Sequence, residues 1–440
     1  MKFDLVIHNA VIVNVNPDFD IIQNGVIGIK DELIQCVQEG GKDLFRPPAS
    51  EYLDARGGIV MPGLVNAHTH LPMSLFRGLA DDLPLSEWLN DHIFPAEARY
   101  LSPETVRIGT KLSCAEMILS GTTTCCDGYF FEDEVAEAIL ETGLRAVAGQ
   151  GVIDYPAPGV PDPSRNIEAA VEFVTKWRGR SPLLTPSIFC HSPYTCSAET
   201  LKKAKQAADR LGVLFQIHVA ETKHERDQSI AATGMSPVAY LDSLGVLDEN
   251  TLAVHAVWVD LNDMDILARR KVNIVHTPES NMKLASGVAP VPKMLAKGLT
   301  VALGTDGCAS NNDLDLFGEM DRAAKLHKVI SEDPTVMTAR QVIRMATIEG
   351  AKALGIAHVI GSLEPGKQAD IIIIDTGKPH LTPLYHPESH LVYAVSGADV
   401  SDVFVAGRAI MRNYVPLTLD MDAVMEKAQS SALRIRENRA

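Results

Sequence analysis

The feature that most constrains the fold of this 440-residue chain is an alternation of short β-rich runs with helical stretches. The β-rich runs occupy residues 59–65, 121–127, 144–150, 184–190, 213–219, 251–256, 272–276 and 299–305. The segment from Ser197 to Gly212 is typical of the helical stretches, since a serine precedes its first turn and a glycine follows its last. Eight strands alternating with helices predict an α/β fold, a (β/α)8 TIM-like barrel, with a doubly wound open sheet as the alternative.

The two ends of the chain have a different pattern from the barrel segment. Residues 1–58 and 362–417 contain short strand-like runs separated by turn signals, and we expect them to combine into one small β-sandwich domain. The barrel domain is then expected over residues 59–361. Residues 418–440 carry apolar side chains at an amphipathic helical spacing, which predicts a C-terminal packing helix.

Composition excludes several classes of function. Lysine and arginine total 40 against 56 aspartates and glutamates, a net charge of −16, which argues against nucleic acid or an anionic membrane as a partner. We find no apolar run of the length that spans a bilayer, and no signal-peptide pattern at the start of the sequence. The seven cysteines are irregularly spaced, so we expect no disulfide framework. These observations favour a cytoplasmic protein that acts on a small molecule.

Histidines and an aspartate follow several of the predicted strands, where barrel enzymes carry their working residues. His68 and His70 alternate with a threonine after the first run, so both imidazoles would point to one side of a strand. The fifth run contains His218, and Asp306 follows the eighth. Three histidines and a carboxylate suit a zinc-like ion that keeps one position open for water. We therefore predict these four residues as ligands of one divalent metal ion.

Two further side chains near the predicted ion bear on catalysis. Such an ion lowers the pKa of bound water from 15.7 to about 7. Glu221 follows His218 by three residues and can shuttle a proton from that water to a leaving nitrogen, or else it is a helix residue favoured by the helix dipole. His255, at the end of the sixth run, is either a further ligand or a hydrogen-bonding partner of the hydroxide.

The motifs "PGLVNAHTH", "HVAET", "LAVHAVW", "HTPESNMKLASG" and "GTDGCASNNDLDLF" resemble the amidohydrolase superfamily. They are most similar to its branch of 5-methylthioadenosine/S-adenosylhomocysteine deaminases and related triazine and guanine aminohydrolases. The resemblance covers nearly the whole chain, including "GSLEPGKQADIIIID". It implies metal-dependent hydrolytic deamination of an adenosine-type nucleoside (methylthioadenosine, 5'-deoxyadenosine, adenosine or S-adenosylhomocysteine) to the inosine analogue and ammonia. Another heterocycle, namely guanine, an oxidised purine, a pterin or a triazine, is the alternative substrate.

The resemblance also implies roles for the residues of the metal site. In the family, the residue matching Glu221 passes protons, the one matching His255 polarises the hydroxide, and the one matching Asp306 also acts as a base. Related hydrolases with two metals carry a modified lysine on the fourth strand, whereas residues 183–195 of this chain contain no lysine. One ion per subunit is therefore expected, Zn²⁺ before Fe²⁺ or Mn²⁺, because similar ligands accept all three. The family tends to assemble, so we expect a homo-oligomer.

Substrate contacts follow from the same resemblance. Trp88 matches a position that packs against the nucleoside, Glu97 one that accepts hydrogen bonds from the ribose hydroxyls, and His191 one that contacts the purine. For Trp88 the alternative is packing within the long insert that follows the first strand, and for Glu97 it is a solvated helix position. Some members grip the amino-acid end of S-adenosylhomocysteine with two arginines. Here Gln150 stands near the first of these positions and Arg165 matches the second, which disfavours that substrate.

Two other classes remain as alternatives. A non-catalytic scaffold with this fold would lack some of the predicted ligands, and all are present in the sequence. An amide-ring hydrolase of the dihydropyrimidinase kind would carry the fourth-strand lysine and would not need Glu221.

Overall fold

The computed structural model describes residues 2–40 and 47–437. Its strands are β1 (Phe3–Val13), β2 (Ile21–Lys30), β3 (Leu33–Glu39), β4 (Ala49–Asp54), β5 (Ile59–Pro62), β6 (Leu64–Thr69), β7 (Thr122–Tyr129), β8 (Arg145–Val152), β9 (Leu184–Cys190), β10 (Phe215–Val219), β11 (Thr251–His255), β12 (Asn273–His276), β13 (Val301–Leu303), β14 (Ile371–Ile374), β15 (Val400–Val405), β16 (Arg408–Arg412) and β17 (Val415–Pro416).

The helices are α1 (Leu85–Glu87), α2 (Phe94–Tyr100), α3 (Pro103–Leu119), α4 (Glu132–Thr142), α5 (Asn166–Trp177), α6 (Ala198–Leu211), α7 (Lys223–Thr233), α8 (Pro237–Ser243), α9 (Leu261–Arg270), α10 (Pro278–Lys283), α11 (Val291–Ala296), α12 (Leu316–Ser331), α13 (Ala339–Met345), α14 (Ile348–Ala353), α15 (Pro387–Tyr393) and α16 (Met421–Glu437). Short 3₁₀ turns occupy Leu71–Phe76, Pro163–Arg165, Pro379–Leu381 and Gly397–Asp399, and a π-helical turn occupies Trp88–Ile93.

Strands β6 to β13 form the predicted barrel. They lie side by side in chain order, and every neighbouring pair is parallel. The eighth strand returns to the first, since the backbone N–H that follows β13, at Asp306, donates to the carbonyl of His68 over 3.1 Å. A parallel bridge between Thr69 and Asp306 lies at the same seam. The α/β barrel is confirmed and the doubly wound alternative is wrong, because an open sheet has no such seam.

The prediction of one strand over residues 59–65 is wrong, because that segment is two strands in two different sheets. Ile59–Pro62 (β5) pairs with β1 and β14 in the sheet of the chain ends, and the barrel begins only at Leu64. A Cβ on the intervening Gly63 would lie 2.1 Å from Thr123 Oγ1, so only glycine fits there. Both strands are buried throughout, so the apolar run shows no break between them.

The chain ends build one nine-stranded sheet, in the order β17-β16-β15-β14-β5-β1-β2-β3, with β4 also paired to β1. The two ends of the chain meet where β14 pairs antiparallel with β5. A buried ion pair between Arg145 Nε on β8 and Asp370 Oδ2, at 2.9 Å, joins the barrel to the segment before β14. The sheet agrees with a composite domain from both termini. Residues 1 and 41–46 of that predicted domain lie outside the described residues.

The C-terminal segment contains helix α16, which packs against α3. Val424, Ala428 and Ile435 are buried, whereas Met425 is half exposed. Residues 438–440 of the predicted helix lie outside the described residues. Within the described part of the chain, no helix combines the length and the apolar character needed to cross a membrane.

Candidate active site

Four side chains that could hold a metal ion converge at the carboxyl ends of three barrel strands. His68 lies in β6 with His70 just beyond it, His218 lies in β10, and Asp306 follows β13. Their ligand atoms all lie within 4.8 Å of one another. His68 Nε2 is 3.1 Å from His218 Nε2 and 3.4 Å from Asp306 Oδ1, and His70 Nε2 is 3.3 Å from Asp306 Oδ1. Ligands placed tetrahedrally at about 2.05 Å from an ion are separated by roughly 3.3 Å, so this spacing fits one small divalent cation.

Burial gives these groups the charges that a metal needs. Burial lowers the pKa of His68 to about 4 and, together with the surrounding imidazoles, holds the pKa of His218 well below its ordinary value. Both imidazoles are therefore neutral at pH 7 and keep a lone pair for a metal. Burial opposes ionisation of Asp306, but its bond with His68 and the nearby histidines hold the pKa of this carboxyl well below its usual range.

Neighbouring groups orient two of the four side chains. His70 Nδ1–H donates to the carbonyl oxygen of Gly128 over 2.7 Å, which leaves Nε2 free to bind a metal. Asp306 Oδ2 accepts from the hydroxyls of Ser280 and Ser310, both at 2.7 Å, while Oδ1 faces the histidines. Asp306 also has a φ of +63°, in the left-handed region that residues other than glycine rarely adopt. These contacts fix the direction of the ligand atoms.

His255 does not belong to the converging group, although it lies beside it. Its Nδ1 is 2.9 Å from Thr277 Oγ1 and 3.1 Å from Asn281 Nδ2. Its Nε2 is 3.8 Å from Glu221 Oε2. Of the two roles left open for His255, the structure favours a hydrogen-bonding partner over a metal ligand. Burial lowers its pKa to about 4, so the ring is neutral at pH 7.

Glu221 lies in the turn between β10 and α7, before Thr222, the residue that caps the helix. It is 8% exposed, and Ser286 Oγ–H donates to its Oε1 over 3.5 Å. Burial, with the charge of Asp306 adding to it, raises the pKa of Glu221 to about 8. A carboxyl that is protonated near neutral pH can both donate and accept a proton.

Glu225 holds the turn that carries Glu221, and the sequence reasoning missed it. Its two carboxyl oxygens accept hydrogen bonds from the backbone N–H groups of Ala220 and Glu221, at 2.9 and 2.7 Å. Ala220 has a φ of +53°, so the turn needs such support. The spacing Thr222-x-x-Glu225 is the start signal of a helix and could have identified this residue.

A two-part cavity opens onto the site. An inner chamber of about 60 Å³ is lined by His70, His218, His255, Glu221 and Asp306, among others. An outer cavity of about 1140 Å³ adjoins it. The two share several lining residues: Leu85, Leu89, Phe94, Glu97, Phe130, Tyr194, Glu221 and Leu284. A molecule in the outer cavity can therefore extend one end into the chamber.

The three residues predicted to contact a nucleoside line the same inner chamber. Trp88 is 4% exposed, and its Nε1–H donates to the carbonyl of Ala80 over 3.1 Å. Glu97 is also 4% exposed, so a solvated position is excluded, and it accepts a hydrogen bond from the Tyr129 hydroxyl. His191 lies with its ring centroid 5.1 Å from that of His218. The fold thus brings these side chains together with the converging metal-ligating group.

The structure does not bring Gln150 or Arg165 to this cavity. Gln150 lines a separate pocket of about 430 Å³, and its Oε1 accepts the backbone N–H of Glu132 over 3.2 Å. The alternation of side chains along β8 turns Gln150 toward the start of α4. Arg165 is 61% exposed and pairs with Glu168 over 2.8 Å. Neither residue therefore lines the cavity in which a substrate contact was expected.

Three polar side chains of the site reach their partners only because distant segments meet in the barrel. Thr277 and Asn281 contact His255, and Tyr129 contacts Glu97. Ser310 contacts Asp306 within one loop, four residues away. Within "SNMKLASG", the first residues form the end of α10, and Leu284 to Ser286 line the outer cavity.

Comparison with known proteins places the chain in a family. The model of the amidohydrolase family matches residues 59–410. The 5-methylthioadenosine/S-adenosylhomocysteine deaminase of Syntrophobacter fumaroxidans is 47% identical over 435 residues, which cover 99% of each chain. The 5'-deoxyadenosine deaminase of Methanosarcina acetivorans is 46% identical over 432 residues, 98% of each chain. A solved structure of an adenosine deaminase from Xanthomonas campestris with bound zinc has a TM-score of 0.96 at 37% identity and covers 99% of each chain. The chain belongs to the amidohydrolase family.

Proposed function

We propose that this chain hydrolytically deaminates an adenosine-type nucleoside: methylthioadenosine, 5'-deoxyadenosine, adenosine or S-adenosylhomocysteine. Water replaces the exocyclic amino group of the purine, and ammonia leaves. The observation that carries the proposal is one inner chamber lined both by His70, His218 and Asp306 and by Trp88 and Glu97. Relatives named as deaminases of such nucleosides, at 46–47% identity, support the same reaction.

The metal in this proposal is one Zn²⁺ per subunit, which His68, His70, His218 and Asp306 would hold. Three imidazoles and a carboxylate suit zinc, and the zinc-bound relative at 37% identity supports it. When bound, such an ion lowers the pKa of water from 15.7 to about 7. Elemental analysis of the purified protein tests the identity of the metal. One zinc per chain is expected, and iron or manganese at that ratio would replace zinc in the proposal.

Glu221 moves the proton in the proposed reaction. Its carboxyl, with a pKa of about 8, lines both the chamber and the outer cavity and is mostly protonated at neutral pH. It gives its proton to the amino nitrogen as the carbon–nitrogen bond breaks and regains one from the attacking water. The neutral His255, whose Nε2 is 3.8 Å from Glu221 Oε2, hydrogen-bonds the oxygen of that water. Asp306 takes part as a second base.

The substrate is held by the other residues of the chamber. Trp88 packs against the nucleoside, His191 contacts the purine, and Glu97 accepts hydrogen bonds from the ribose hydroxyls. The outer cavity of about 1140 Å³ then receives the 5' substituent. Of the lysines that line it within the described residues, Lys223 pairs with Asp227 and Lys283 with Asp81, both at 2.6 Å. Paired ammonium groups offer little to a carboxylate, so neutral 5' substituents are preferred.

Release of ammonia from a panel of substrates tests the proposal. The zinc-loaded protein is assayed with the four nucleosides and with guanine, an oxidised purine, a pterin and a triazine, with His218→Ala as the inactive control. We expect methylthioadenosine and 5'-deoxyadenosine to exceed S-adenosylhomocysteine in kcat/KM by about tenfold, since a missing charge-assisted hydrogen bond is worth at least that. Turnover of the bare heterocycles alone would overturn the nucleoside assignment.

We propose that the protein is cytoplasmic and assembles as a homo-oligomer. The seven cysteines are free thiols, six of them buried, as is usual in a reducing compartment. Sedimentation of the purified protein tests the assembly, and a monomer at micromolar concentration would contradict it.

A further inference from the structure

A tyrosine holds the carboxylate that we propose to bind the ribose. Tyr129 is the last residue of β7, and its hydroxyl donates a hydrogen bond to Glu97 Oε1. Tyr129 is 3% exposed and Glu97 is 4% exposed. Both side chains line the inner chamber, and Glu97 also lines the outer cavity. The contact therefore lies inside the proposed substrate site and is shielded from bulk water.

Tyr129 links the insert to the rim of the barrel. Glu97 lies in α2, which belongs to the long connection between β6 and β7, whereas Tyr129 belongs to a barrel strand. The tyrosine ring packs with its centroid 5.8 Å from that of His70 and 5.3 Å from that of Phe130. Among the described residues, Tyr129 is the one side chain that donates a hydrogen bond to the Glu97 carboxylate. The Tyr129 hydroxyl, on a barrel strand, thus fixes the Glu97 carboxylate, which lies in the connection between β6 and β7.

The two carboxylate oxygens of Glu97 then have different tasks. Oε1 is engaged by Tyr129, which leaves Oε2 and the second lone pair of Oε1 for a ligand. The hydroxyls on C2' and C3' of a ribose form an adjacent pair of donors that one fixed carboxylate can accept. If the plane of the carboxylate were not fixed beforehand, the ligand would have to order it on binding. Binding would then be weaker, because ordering a side chain costs free energy.

We propose that Tyr129 is a positioning residue for the ribose: its hydroxyl sets the Glu97 carboxylate in the orientation that accepts the C2' and C3' hydroxyls. This inference rests on the proposed function, because it needs Glu97 to contact the ribose. The charge of Glu97 supports it as well. Burial raises the pKa of Glu97 to about 7, and the bond from Tyr129 opposes that rise and so favours the ionised acceptor.

Tyr129→Phe tests the inference, because it removes the hydroxyl and keeps the ring. The matched control is Tyr100→Phe at the end of the same helix α2, whose buried hydroxyl has no hydrogen-bond partner. Each variant is assayed with adenosine and with 2',3'-dideoxyadenosine, and binding of inosine and 2',3'-dideoxyinosine is measured by calorimetry. Thermal unfolding shows that the variants are folded.

We expect Tyr129→Phe to raise the KM for adenosine and the Kd for inosine about tenfold, with kcat within twofold. The dideoxy compounds and the Tyr100→Phe variant should show no change. Equal losses on both sugars would mean a merely structural tyrosine and would overturn the inference, as would no loss on either.

Glu97→Gln separates this inference from the proposed function. If Glu97→Gln weakens binding of the ribose compounds but Tyr129→Phe does not, the positioning role alone is overturned. If neither variant distinguishes the two sugars, the ribose role of Glu97 falls with it. In the double variant we expect no loss beyond that of Glu97→Gln, because the tyrosine acts only through the carboxylate.

Discussion

The two serine hydroxyls that donate hydrogen bonds to Asp306 lead to a prediction for the affinity of the site for a metal ion. Ser280 in α10 and Ser310 both donate to Asp306 Oδ2 at 2.7 Å, and they are 0% and 3% exposed. Alanine at either position removes the donor without adding atoms. A single replacement leaves Asp306 Oδ2 with one of its two hydroxyl donors, and the double replacement removes both donors from this buried carboxylate oxygen.

The size of the effect follows from the charge of the acceptor. A hydrogen bond to an ionised group contributes about 1.5–3 kcal/mol, and loss of an outer partner of a metal ligand typically weakens metal binding 10–100-fold. We therefore expect Ser280→Ala and Ser310→Ala each to raise the Kd for Zn²⁺ about tenfold. The double variant should lose more than the product, over about 100-fold, because only there does Oδ2 lack both donors.

Competition with a chromophoric chelator measures these constants on metal-stripped protein. Ser401→Ala is the matched control, since the Ser401 hydroxyl donates to the buried Asp402 Oδ2 over 2.6 Å in β15, outside the barrel. The control should bind Zn²⁺ as the parent protein does. A double variant that is folded and keeps its Kd within twofold would refute the argument that the two serines orient Asp306 as a ligand.

Two further predictions concern carboxylates of the cavity. Only the ionised form of Glu97, whose pKa is about 7, accepts hydrogen bonds from both ribose hydroxyls. The KM for a ribonucleoside should therefore fall as the pH rises from about 6 to 8, and it should stay constant in Glu97→Gln. A KM that rises over this range would contradict the assignment. Glu225→Ala removes both acceptor oxygens from the N–H groups at Ala220 and Glu221, so kcat should fall about tenfold with KM within twofold. Glu199→Ala, at an exposed position, serves as the control. A higher KM at unchanged kcat would mean that Glu225 does not act through Glu221.

Much of the fold could be predicted because its signals are local. The barrel strands are short β-rich runs, and several of the helices that follow them have their own start and stop residues, as Ser197 and Gly212 show for α6. The break between β5 and β6 escaped prediction, because both strands are buried on all sides and their apolar residues run on through Gly63. Which sheet a buried strand joins depends on its neighbours, and these come from elsewhere in the chain.

The sequence by itself determined which four side chains could hold a metal ion. His68, His70, His218 and Asp306 lie near or just beyond the ends of strands, and parallel strands in a barrel bring their carboxyl ends to one rim, so position along the chain predicts that they meet. His255 ends a barrel strand as well and lies beside the group. No comparable rule predicts from the sequence which side chains surround these four residues.

Only the tertiary structure decided which groups support that site. The Ser280 hydroxyl reaches Asp306 across 26 positions of sequence, Tyr129 reaches Glu97 across 32, and Gln150 turns toward α4 instead of the cavity. Such contacts depend on the packing of segments that are distant in sequence and on the face that each strand residue takes. Small polar residues form no periodic pattern in the sequence that would reveal the packing or the face. Their hydrogen-bond partners are therefore known only from the folded barrel.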